Sequence, residues 1–86
     1  MNKKVTLTID GTPIHFDVTP DKHARLVNEM QPNSKVEPTQ NFLVRCVTAE
    51  SKEALKPFLE DPSHVMAIGG KLITEITSTL QVSVGE

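Results

Sequence analysis

Lys4-Val5-Thr6-Leu7-Thr8-Ile9-Asp10-Gly11-Thr12-Pro13-Ile14-His15-Phe16-Asp17-Val18 is the stretch that decides the fold. Val5, Leu7 and Ile9 alternate with Lys4, Thr6 and Thr8, and after Asp10-Gly11-Thr12 the alternation resumes with Ile14, Phe16 and Val18 against His15 and Asp17. A period of two belongs to a half-buried strand, because successive side chains point to opposite faces. An Asp-Gly pair between two such runs predicts a β-hairpin, since a tight turn needs positive φ and glycine adopts it without steric cost. One face of this hairpin carries six branched or aromatic side chains. Later elements must cover it.

Downstream, Val18-Thr19-Pro20-Asp21 reads as a strand end followed by a helix start. Thr19 suits the N-cap, Pro20 the first helical position, and Asp21 complements the helix dipole. The first helix is expected to run to about Met30, with Ala24, Val27 and Met30, and Leu26 beside them, as its apolar stripe. Periodicity then vanishes between Gln31 and Pro38, where Pro32, Asn33, Ser34 and Pro38 predict the longest loop. Thr39 or Glu37 is expected to cap a second helix carrying Phe42, Leu43, Cys46 and Val47 on one face. A third, short helix from Ser51 places Leu55, Phe58 and Leu59 together, and Pro57 within it predicts a kink or 3-10 geometry. Asp61-Pro62 repeats the cap-plus-proline signature and opens a fourth helix with Val65, Ile68, Gly69, Leu72 and Ile76 at helical spacing. Glycines at 69 and 70 each cost on the order of 1 kcal/mol relative to alanine in mid-helix. Close packing against the sheet or a neighbouring helix is the expected reason. Leu80, Val82 and Val84 alternate once more and predict a third strand.

The expected fold is therefore α+β in a single domain over residues 1–86. A small three-stranded antiparallel sheet, the N-terminal hairpin plus the C-terminal strand, is covered on one face by three to four helices. Thr6, Thr8, His15, Asp17, Gln81 and Ser83 are expected on its polar, opposite face.

Bulk properties exclude several function classes. The chain has 86 residues, 37% hydrophobic and 23% charged, with a net charge of -2. That acidic balance, with the nine basic residues spread along the chain, argues against a phosphate-backbone binder. Three phenylalanines without Tyr or Trp leave little for base stacking. A single cysteine, Cys46, forbids an intramolecular disulfide and fits a reducing compartment. The basic start at Met1–Lys4 lacks the apolar block of a signal peptide, and no run reaches the roughly 20 apolar residues of a membrane span. A cytosolic protein without membrane contact is expected.

No chemistry-bearing motif stands out. His15, His23 and His64 fall on three different elements, with no i, i+4 pair and no Cys-x-x-Cys, so solvated histidines are favoured over a metal site. Cys46 lies in the apolar stripe of the second helix, which favours a buried structural thiol over a nucleophile. Glu60 and Asp61 are adjacent carboxylates, but one ends a helix and the other caps the next. Gly69-Gly70 is inside a helix and not between a strand and a helix, so it is no phosphate loop. A helix-turn-helix reading of the second and third helices meets mixed signs at Lys52, Glu53 and Lys56. The residues alone point to a non-catalytic adaptor without cofactors.

Several stretches together resemble a family of small tail assembly chaperones of bacteriophages and prophages. The resemblance lies in Asn28-Glu29-Met30-Gln31-Pro32-Asn33-Ser34-Lys35-Val36-Glu37-Pro38, then Asn41-Phe42-Leu43, Lys52-Glu53-Ala54-Leu55, and Pro62 leading to Ile68-Gly69-Gly70-Lys71-Leu72. It covers nearly the whole chain. What it implies is a protein of the bacterial host cytoplasm that binds the tape measure protein during tail morphogenesis and helps recruit tail tube subunits, with no bond made or broken. On that reading the Gln31–Pro38 loop and the exposed flank of the second helix, with Lys35, Val36, Phe42, Val44 and Arg45, are the expected protein-binding region. The competing role for Phe42 is in the core. A structural tail component and a small DNA-binding prophage regulator remain the alternatives, and two sheet edges leave a homo-oligomer open.

Overall fold

The computed structural model describes residues 2–77 and residue 85. Strand β1 (Lys3–Ile9) pairs with β2 (Thr12–Val18) in an antiparallel register that sets Val5 opposite Phe16 and Leu7 opposite Ile14. Asp10 and Gly11 both take positive φ, 50° and 81°. That is the backbone of a two-residue turn whose twist matches the flanking strands, and it is why a glycine stands at position 11. Leu7, Ile14, Phe16 and Val18 are buried and Val5 and Ile9 pack against them, while Lys4, Thr6, Thr8 and His15 face outward. The apolar hairpin face is covered, as the alternation requires.

Helix α1 (Pro20–Glu29) is capped as expected: Lys22 N donates to Thr19 Oγ1 at 3.1 Å. Its buried stripe is narrower than expected. Only Leu26 is fully buried, Met30 is half-buried, and Ala24 and Val27 are exposed. A ten-residue helix lying on one neighbouring surface buries a line, and Leu26 occupies that line while Val27 is turned about 100° away.

Between α1 and helix α2 (Val36–Cys46) the loop is shorter than the expected Gln31–Pro38 span. Gln31 and Ser34 exchange backbone hydrogen bonds at 3.2 and 3.1 Å and close a tight turn. The second helix starts at Val36, and neither Thr39 nor Glu37 caps it. Pro38 sits in its first turn, where the missing N–H would have no intrahelical partner in any case. Thr39 Oγ1 instead donates back to Lys35 O at 2.7 Å. Phe42, Leu43 and Cys46 are buried as expected, but Val47 leaves the helix and forms an antiparallel bridge with Phe16. This segment satisfies the outer edge of β2: Thr48 N donates to His15 O at 3.0 Å and His15 N donates to Ser51 Oγ at 2.9 Å.

Helix α3 (Lys52–Leu55) lies between 3-10 turns at Ala49–Ser51 and Lys56–Glu60, the latter containing Pro57, so the proline ends the α-helix with tighter geometry. Helix α4 (Pro62–Thr77) begins where Asp61 Oδ1 accepts Ser63 N at 2.9 Å and Ser63 Oγ at 2.7 Å. Those hydrogen bonds, the hydroxyl first, hold the Asp61 carboxyl below its ordinary range. Val65, Ile68, Gly69 and Leu72 face the core. The close-packing expectation holds for Gly69, where a Cβ would overlap Thr39 Cγ2 of α2, and not for exposed Gly70.

The architecture is α+β, with four α-helices and a two-stranded antiparallel sheet among the described residues. The expected third strand around Leu80, Val82 and Val84 lies outside the described residues. In the core, α2 packs against both α1 and α4, and α4 packs along β1.

Candidate protein-binding surface

On α2, Val36, Gln40 and Val44 fall at i, i+4 and i+8, which stacks them on one face. Val36 is 36% and Val44 42% exposed, and with Val27 of α1 at 61% they are the large apolar side chains left in solvent among the described residues. Lys35, immediately before the helix, is also exposed. The amphipathic logic is local: Phe42, Leu43 and Cys46 point to the core, so residues about half a turn away must point out.

Arg45 belongs to a different edge of the same helix. Its Nη1 and Nη2 lie 3.3 and 3.5 Å from the Glu29 carboxylate of α1, which also accepts Arg25 Nε at 3.2 Å. Glu29 is thus bridged by two guanidiniums, and the hydrogen bonds from Arg45 first, then Arg25, hold its carboxyl below the usual range. Arg45 is 25% exposed and ties α2 to α1. Phe42 takes the competing role: it is 0% exposed, its ring 6.2 Å from that of His23 and tilted by 42°, which makes it a core residue of this fold. Of the five expected contact residues, the fold brings Lys35, Val36 and Val44 to open surface, puts Arg45 on the helix seam, and removes Phe42 to the interior.

Arg25, Val27 and Glu29 were not among the expected contacts. The Arg25–Glu29 pair is legible at i, i+4; the link from Glu29 to Arg45, sixteen residues away, is not. Val27 falls in the expected buried stripe because spacing alone does not say which of two adjacent apolar residues sits at its centre.

Other chemistry-bearing side chains have separate duties. The Thr6 hydroxyl lies 2.8 Å from His15 Nδ1, His23 faces Phe42, and His64 Nε2 lies 3.7 Å from Asp61. Burial pushes the Cys46 thiol up to about 11, the opposite of what a thiolate nucleophile needs. Among the described residues no three His, Cys, Asp or Glu side chains come together to hold a metal ion, and no helix is long and apolar enough to cross a membrane. A groove of about 520 Å³ runs between β1 and α4, floored by Leu7, Ile9, Ala67 and Ile68. None of the expected contact residues lines it.

An uncharacterized 11.3 kDa protein in the lys 3′ region of Haemophilus phage HP1 (strain HP1c1) is 25% identical over 84 residues, covering 98% of this chain and 82% of the phage protein. No solved structure matches the chain. The family model for phage tail assembly chaperones matches residues 5–86, from the first apolar residue of β1 to the last residue of the sequence. The chain belongs to the phage tail assembly chaperone family.

Proposed function

We propose that this chain acts in the host cytoplasm as a non-catalytic adaptor that binds the tape measure protein during tail morphogenesis, masks its apolar helices and helps recruit tail tube subunits. The observation that carries the reading is the pair of exposed valines, Val36 and Val44, on the outer face of α2 beside Lys35, in a chain of this family. A half-exposed valine contributes on the order of 0.5–1 kcal/mol when a partner covers it. Two or three such residues make a weak contact. Weak contact suits a factor that must release its client when the tail assembles.

The test is to co-express the chain with a tape measure protein from the same phage and measure whether the latter becomes soluble and co-purifies. Wild type is expected to solubilise and retain it. A Lys35→Ser, Val44→Ser double variant is expected to lose capture while staying folded with a melting temperature no lower than about that of wild type, since serine suits the N-cap position that Lys35 holds and position 44 is on the surface. Capture undiminished by the double variant would remove the contact from α2. An insoluble tape measure protein with nothing co-purifying would remove the function.

A further inference from the structure

We infer that Arg25 is the anchor for a carboxylate on the partner, so that the bound segment is an amphipathic helix with apolar residues against Val36 and Val44 and an Asp or Glu on the α1 side. This rests on the reading above and names the partner's chemistry. Arg25 donates to Glu29 through Nε alone, at 3.2 Å, and its side chain is 62% exposed. Its two terminal nitrogens, the fork that fits a carboxylate bidentately, have no partner among the described residues. Arg45 donates to both oxygens of the same Glu29 carboxylate, sharing Oε2 with Arg25, so one carboxylate faces two guanidiniums and this three-residue cluster keeps an excess positive charge. Glu29 also holds the Arg25 side chain at its Nε, which pre-orients the fork. Arg45 follows Val44 directly in sequence, turned about 100° around α2 toward α1. The positive seam therefore borders the valine face on one side. On the face itself, exposed Glu37 lies two turns before Val44. It opposes an acidic residue there and directs one to the Arg25 end.

Competition reads this out. Wild type and an Arg25→Lys variant, carrying different tags, are co-expressed with the tape measure protein and the ratio retained on it is measured at low and at high salt. Lysine keeps the charge and the i, i+4 pairing with Glu29 but has no fork. Because the charge is kept, retention of Arg25→Lys is expected to fall only about twofold, from the lost second hydrogen bond, while wild type and variant alike lose retention as salt rises. Equal retention of wild type and Arg25→Lys at low salt, or wild-type capture that salt leaves unchanged, overturns the inference. If the Lys35→Ser, Val44→Ser variant loses capture while Arg25→Lys equals wild type, the valine face stands and the anchor fails. If wild type captures nothing, both fail.

Discussion

Replacing Gly69 with alanine tests the α2–α4 contact more sharply than any deletion of a core side chain. On helix propensity alone the change is favourable by about 1 kcal/mol, because glycine loses more backbone freedom in a helix than alanine. The structure reverses the sign. A Cβ at position 69 would overlap Thr39 Cγ2, and Thr39 is 1% exposed with its hydroxyl donating to Lys35 O at 2.7 Å. Turning Thr39 away breaks that hydrogen bond, worth about 1 kcal/mol, and presses a β-branched side chain into the preceding turn. Moving α4 outward instead loosens Val65, Ile68 and Leu72. Overpacking of this kind costs roughly 1–3 kcal/mol, so against the propensity gain the net change is a loss of up to about 2 kcal/mol. At this chain length each kcal/mol lost lowers Tm by about 4–8 °C. Gly70→Ala is the control: position 70 is exposed and open, and the full propensity gain of about 1 kcal/mol should raise Tm. Thr39→Ser removes Cγ2 and keeps the hydroxyl, so adding it to Gly69→Ala should restore most of the loss. Thermal unfolding of the four variants closes the cycle. If Gly69→Ala raises Tm as much as Gly70→Ala does, the contact is not as described.

Glu29 gives a pH signature. Its carboxyl is held low in the folded chain, so its contribution to stability is present above the ordinary glutamate value and is lost as pH falls through the folded value. The difference in urea midpoint between wild type and Glu29→Gln should therefore be constant near neutrality and shrink on acidification. A difference independent of pH would contradict the two-arginine bridge. Cys46 gives a reactivity signature: with the thiol buried and raised to about 11, modification by a disulfide reagent at mildly alkaline pH should be at least about a hundredfold slower in buffer than in urea. Similar rates would place the thiol at the surface.

Legibility followed the range of the interaction that decides each feature. The Asp10–Gly11 turn, the Thr19 and Asp61 caps, the strand alternation and the 3-10 geometry at Pro57 are set by residues within a few positions of one another, and the bare sequence determined them. The family was legible for the related reason that an ordered set of short segments survives without knowledge of their packing. Tertiary structure decided what depends on a distant neighbour. Leu26 and Val27 are adjacent and equally apolar, and only the surface under α1 selects one for burial. Thr39 reads as a cap, yet its role is to fill the space that Gly69 vacates thirty residues later. Val47 looks like the last turn of a helix and serves the edge of β2. Phe42 and Val44, both expected at the binding surface, part company because the direction of the core fixes the rotation of α2. Arg45 becomes a seam residue only because folding sets Glu29 beside it. Local chemistry chooses the elements; their mutual rotation, settled by packing, chooses which side chains remain for a partner.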